Sequence, residues 1–246
     1  MTALVLREMS TTHGRSPGGY LWAVLEPVAG ITLLSLIFSV AFRSPAIGIS
    51  FPLFYATGML PFLMFSNVVT RAAQALNFSK NLLAYPTITF VDAIVARVLL
   101  CVITQLMVNY VVFGGILLFF ETRARLELPI IGLSLTLAAL LGLGIGTLNC
   151  YLFSRIQFWQ QVWSIIMRPM FIISCIFLLF ESIPQPYRDW LWYNPLVHIV
   201  GLMRKGFYPS YDASYVSLTY VLIVAAVSFL TGLILLRRDY HDLLDR

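Results

Sequence analysis

The sequence predicts an all-α integral membrane protein with six transmembrane helices, and three observations predict it. Of its 246 residues, 59% are apolar and 11% charged, with a mean hydropathy of +0.85, against about a quarter charged in soluble proteins. Uncharged runs recur at the length a helix needs to cross a bilayer, about 20 residues. These runs are apolar on every side, whereas a membrane β-barrel alternates apolar and polar positions over segments of roughly ten residues.

Five runs are uninterrupted: Pro27 to Phe42, Ser44 to Thr70, Val98 to Phe120, Leu128 to Ser154, and Ala213 to Leu236. A sixth, Ile156 to Phe180, is broken once, by Arg168. Together they make one membrane domain over residues 1–246. Three non-spanning parts belong to it: an N-terminal interfacial helix (1–22), a cytoplasmic loop (77–92) and an outer helical hairpin (184–209).

The chain opens without the order of a signal peptide, which needs a charged start, a short apolar stretch and a small-residue cleavage site. RSPGGYLWAVLEP, Arg15 to Pro27, reads instead as the entry to the first span. There the glycines turn an interfacial helix upward and Trp22 anchors at the headgroups. Glu26 then sits where the chain enters hydrocarbon and needs water or a base such as Arg15.

On the second span Phe51, Phe54, Gly58, Phe62 and Phe65 fall within about 80° at 100° per residue. Trp159, Trp163, Met170 and Phe177 on the fifth fall within about 40°. Two readings are open: packing and interface anchoring, or a passage lined by flat apolar faces over which sugar rings slide.

In the loop NFSKNLLAYPTITFVD, Ser79 is placed to cap a short helix that Pro86 ends. The helix would present Leu82, Leu83 and Tyr85, either to the headgroups or to a soluble subunit. Asp92 and Arg97 bracket the start of the third span at headgroup level. Gly142 and Gly146 stand one turn apart on the fourth, where small residues let helices approach closely.

If the fifth span starts near Gln160, Arg168 lies about 12 Å deep. A charge there needs a partner, a wet cavity or a reach to the interface. Arg71, Arg97 and Arg168 share one level, and guanidiniums there either pair with an anionic headgroup through phosphate or snorkel to lipid.

Between the last two spans, Pro186 begins a short helix ending near Tyr193. Asn194 then caps a second, with Pro195 at its first position, which Gly206 and Pro209 end. Trp190, Trp192 and Tyr193 supply an interfacial aromatic belt. Arg237 and Arg238 after the last span favour cytoplasmic termini.

Cys101, Cys150 and Cys175 are odd in number and unpaired in spacing, so no disulfide framework is expected. His13, His198 and His241 lack the spacing of a zinc site. There is no phosphate-binding glycine loop and no serine elbow. ATPase or hydrolase chemistry is therefore not expected from this chain, nor any metal or cofactor of its own.

RSPGGYLWAVLEP with Arg15, Gly19, Leu21, Trp22 and Pro27, the loop NLLAYPTITFVDAIVAR, and Tyr193 to Leu196 together resemble the permease subunits of ABC-2 type exporters, most closely the capsular-polysaccharide export group. The resemblance implies a homodimer, each copy gripped through a coupling helix (Leu82, Leu83, Tyr85, Pro86) by a cytoplasmic ATPase subunit that carries ATP and Mg. It implies a lipid-anchored polysaccharide as cargo, a periplasmic adaptor and an outer-membrane channel as further partners, and a bacterial inner membrane with its lipids as the setting. No nucleic acid is expected. Arg15, Arg71, Arg97 and Arg168 would meet the anionic cargo, with Phe54, Phe62, Trp159 and Trp163 along its path, and residues 184–209 would be a re-entrant hairpin at the exit. O-antigen, teichoic acid or a small drug are the alternative cargoes. A proton-coupled carrier would place carboxylates deep in its spans; here they stand at span edges.

Overall fold

The computed structural model describes residues 19–83 and 89–244. Nine helices follow one another among them: α1 (Gly19–Ala41), α2 (Phe51–Ala73), α3 (Ala75–Leu83), α4 (Phe90–Phe119), α5 (Leu128–Arg155), α6 (Trp159–Ile173), α7 (Tyr187–Trp192), α8 (Pro195–Phe207) and α9 (Leu218–Leu244). A single 3-10 turn, Phe180–Ser182, lies between α6 and α7. The interfacial helix expected over 1–22 falls, up to residue 18, outside the described residues.

Among the described residues five helices are long and apolar enough to cross a membrane: α1, α2, α4, α5 and α9. The sixth apolar run behaves differently. Its helix α6 has 15 residues, about 22 Å of rise, against a hydrocarbon core of about 30 Å. At its end the Ser174 hydroxyl donates back to the Met170 carbonyl, and Cys175 takes φ +59°. That left-handed conformation does not continue a right-handed helix. Phe177 therefore leaves the stripe expected with Trp159, Trp163 and Met170. Its ring packs on Phe38 and Phe171, at centroid distances of 5.9 and 5.4 Å.

The bundle is built around α2, buried along nearly its whole length and packed by α1, α4, α5 and α8. Helix α5 is wedged between α2 and α9, and its glycines explain how closely. A Cβ on Gly146 would lie 2.6 Å from the Ala72 Cβ on α2, and one on Gly142 2.9 Å from the Val68 Cβ. Gly144, on the opposite side, faces the Ala225 carbonyl of α9. One turn of α5 thus uses Gly142 and Gly146 against one neighbour and Gly144 against another.

Helix α1 is attached more lightly. Pro27, Ile31 and Ser35, four residues apart, are its buried positions. The starts of α1, α4 and α6 lie at the same end of the bundle as the close of α2, α5 and α9, the terminal end. Helices α7 and α8 pack at the opposite, hairpin end, where the Ser134 hydroxyl of α5 donates to the Ile199 carbonyl of α8 (2.8 Å) and the Glu127 amide to the Gly206 carbonyl (2.9 Å).

Candidate functional site

At the terminal end a cavity of about 560 Å³ opens between α1, α2 and α4. Arg71 reaches it from the last turn of α2, Arg97 from the second turn of α4, and Trp22 and Glu26 from the first turns of α1. Asn67, Thr104 and Gln105 add neutral polar groups. Two guanidiniums against one carboxylate leave the wall with a net positive charge, suited to a monoanion.

Arg97 is also structural. It is buried, its Nη1 donates to the Gln74 carbonyl at 2.9 Å, and its guanidinium lies 4.3 Å from the centroid of the Phe78 ring. The same carbonyl accepts from the Phe78 amide at 3.1 Å, so Arg97 braces the break at which α2 gives way to α3. The sequence placed Arg97 among lipid headgroups; the structure places it inside the protein, because that break offers an acceptor closer than lipid. Arg71 is half-buried and Glu26 exposed at the rim.

Arg168 does not line this cavity. It stands exposed on α6, nine residues after Trp159, or about 13 Å along the helix. Of the three arginines expected at one level, the structure brings two together. No residue of α6 is buried, and Trp159 and Trp163 are half-buried beneath its open face. Trp159 is fixed by its Nε1–H, which donates to the Asn149 Oδ1 at 3.0 Å. Phe54 and Phe62, by contrast, are core residues within the protomer, 1% and 5% exposed. Phe62 meets Phe171 edge-on at 5.2 Å.

The loop between α2 and α4 is partly described. Helix α3 begins at Ala75, with only Gln74 between it and the end of α2, so Ser79, expected as its cap, lies buried in mid-helix. Leu82 and Leu83 close α3, but their side chains, like Tyr85, Pro86 and Arg15, lie outside the described residues. Beyond the gap, Thr89 and Asp92 form a reciprocal cap on α4: the Asp92 amide donates to Thr89 Oγ1 (3.2 Å) and the Thr89 amide to Asp92 Oδ2 (3.1 Å). Thr89 and Asp92 thereby satisfy two otherwise orphaned donors at the helix start, one each.

At the hairpin end the expected cap on α8 is present, the Asn194 Oδ1 accepting from the Leu196 amide at 3.0 Å. His198 is buried and uses both ring nitrogens. Nδ1 accepts from the Ser217 amide (3.2 Å), which leaves Nε2–H to donate to the Trp192 carbonyl (2.8 Å). Burial holds its pKa below the usual value, keeping the ring neutral. Arg204, six residues further along α8, is fully buried. Nothing local in the sequence points to this burial, since a basic residue in the last turn of a helix is ordinarily favourable there without being buried.

The profile of the ABC-2 type transporter family matches residues 1–208 of the chain. The chain is 34% identical over 238 residues to the polysialic acid transport protein KpsM of Escherichia coli, covering 96% of this chain and 91% of the relative. It is 25% identical over 237 residues to the capsule polysaccharide export inner-membrane protein CtrC of Neisseria meningitidis, covering 96% and 89%. With the capsule polysaccharide export inner-membrane protein BexB of Haemophilus influenzae it shares 22% over 238 residues, covering 96% and 89%.

Proposed function

The chain belongs to the ABC-2 type transporter family, and on that premise we propose that it is the permease subunit of an ATP-driven exporter carrying lipid-anchored capsular polysaccharide across a bacterial inner membrane. The observation that carries the reading is the near full-length similarity to relatives named for polysaccharide transport and capsule export. The five apolar helices agree with a multi-pass protein. The permease performs no catalysis itself; ATP and Mg belong to a separate cytoplasmic ATPase, which engages the loop around Leu82, Leu83, Tyr85 and Pro86. A periplasmic adaptor and an outer-membrane channel complete the route.

In this scheme both termini face the cytosol, so the cavity of Arg71 and Arg97 opens at the inner mouth, with Arg15 before it. There it receives the anionic lipid anchor, guanidinium pairing with phosphate being bidentate and charge-assisted. Asn67 and Gln105 offer neutral partners for hydroxyls. The open face of α6, with Arg168 above Trp159 and Trp163, is the surface that a second copy completes into a passage. Phe54 and Phe62 act through packing beneath it. Segment α6 with the unwound stretch after it makes the sixth crossing, and α7 and α8 dip back into the membrane as a re-entrant hairpin at the exit.

The experiment is gene deletion with complementation. Deletion leaves polysaccharide in the cytosol, and the wild-type gene restores it to the surface. Arg71→Ala and Arg168→Ala, each at normal membrane abundance, export less than about a tenth of the wild-type amount, the factor lost with one charge-assisted hydrogen bond. Surface glycan unaffected by deletion refutes the cargo; normal export by both variants refutes anion reception.

A further inference from the structure

Helix α6 ends in the middle of the molecule, and its free carbonyls must be satisfied. The carbonyl of Ile173 at its end, and those of Ile176 and Leu178 just beyond, find partners on Asn194 and α8. The Asn194 amide donates to the Ile173 carbonyl at 3.3 Å and to the Ser174 hydroxyl at 3.2 Å, while its oxygen caps α8. One face of α8 further on, Arg204 Nη2 donates to the Ile176 carbonyl and Nη1 to the Leu178 carbonyl, both at 2.9 Å.

The guanidinium is fully buried and lies 4.6 Å from the centroid of the Phe54 ring on α2. Among the described residues no carboxylate comes within ion-pair distance of it; Glu181, the acid nearest in sequence to this joint, accepts from Tyr211. Ile176 itself presses on α2 where Gly58 has no side chain, since a Cβ there would lie 3.0 Å from the Ile176 Cα. A buried cation whose acceptors are backbone carbonyls fixes a path of chain in a way no apolar residue does.

We propose that Arg204, assisted by Asn194, is a positioning residue that locks the unwound end of α6 onto α8, so that α6 and the hairpin move as one body during transport. The bonds of Asn194 and Arg204 reach from residue 173 to residue 178, and no residue of α6 itself is buried, so this joint is the rigid link between the open α6 face and the hairpin end. The lock does not depend on what is carried. Its use in coupling rests on the exporter reading, and the test separates the two.

Cys175, 4% exposed within the locked stretch, is the reporter. In full-length permease with Cys101→Ala and Cys150→Ala, maleimide labelling of Cys175 in native membranes is slow. Arg204→Met, similar in length but without donors, labels about tenfold faster or more, and Arg204→Gln, which reaches at most one carbonyl, falls between. With the partner ATPase present, Arg204→Met hydrolyses ATP at near the wild-type rate while glycan export per ATP falls about tenfold, because α6 moves without the hairpin.

Wild-type protection of Cys175 in either variant overturns the lock. Faster labelling with hydrolysis and export falling in proportion overturns the coupling role and leaves a structural brace. Should both variants fail to accumulate, hydrogen exchange on the unmutated protein decides. Residues 174–179 and α8 then open together, with protection within about tenfold of each other, and independent opening refutes the joint.

Discussion

Replacing Gly232 with alanine tests a close backbone-to-backbone contact between α9 and α5. Its Cβ would lie 2.6 Å from the Leu148 amide nitrogen, 2.8 Å from the Thr147 carbonyl carbon and 2.9 Å from the Leu148 Cα, all backbone atoms of α5 that cannot rotate away. Ordinary contact begins at 3.4 Å, so α9 must withdraw by 3.4 − 2.6, or 0.8 Å. A gap of that size forfeits a quarter to a half of the dispersion energy of each contact it opens. Overpacking of this kind costs about 1–3 kcal/mol, and three rigid obstacles put Gly232→Ala near the top, about 3 kcal/mol. Gly114→Ala and Gly132→Ala are the controls, since a Cβ at either meets nothing within 4 Å. All three variants gain helix propensity alike, so the difference between them isolates the contact. At about 2–4 °C per kcal/mol, Gly232→Ala melts roughly 6–12 °C below the controls. The assay is thermal unfolding in detergent followed by a thiol-reactive dye, which reads exposure of the three buried cysteines. A Gly232→Ala melting point within about 2 °C of the controls, less than 1 kcal/mol on that scale, refutes the packing argument.

Two further outcomes follow from local geometry. His198 has a depressed pKa in the fold, so the unfolded chain binds the proton more readily; its contribution to stability is complete above the unfolded pKa and is lost as pH falls from about 6.5 toward the folded value. The melting temperature therefore drops between pH 7.5 and 5.5, and His198→Gln flattens that drop; an equal drop in the variant refutes the assignment. Thr89→Ala, measured by the same melting assay, lowers stability by about 1 kcal/mol through loss of the α4 cap, while the pH dependence of glycan export stays unchanged; a shifted export profile would make Asp92 a proton carrier instead.

What the sequence disclosed and what it hid divide along the range of the interactions. Asn194–Pro195 announces the start of α8 because cap and first-turn proline act within a few residues. Gly142 and Gly146 announce a tight helix pair for the same reason, although that Gly144 serves a second neighbour was beyond any local pattern. The break in α6 was not legible: no glycine or proline stands at Ser174 or Cys175, and the apolar run continues through it. Its cause is distant, being the donors of Asn194 and Arg204 on α8 and the gap left by Gly58 on α2. Arg97 was read by its charge, as a group that the headgroups solvate, and the burial of Arg204 has no local signal at all. Each instead finds a carbonyl freed where a helix stops. In the aromatic stripes, spacing identified a common face for Phe54 and Phe62 without saying whether that face meets lipid, cargo or protein.

The guanidinium of Arg204 also imposes an order on how the protein is made. Its hydrogen-bond acceptors, Ile176 and Leu178, and the ring it stacks on, Phe54, all precede it in the chain. When α8 leaves the insertion machinery, the site that will take up its buried guanidinium is therefore already synthesised, and α8 need not wait for α9. Until α2 and the end of α6 have come together, however, Arg204 has nowhere in the apolar phase to go and stays at the aqueous surface. Burial of the hairpin thus follows the meeting of α2 with the end of α6, an order set by where the partners of Arg204 lie in the chain.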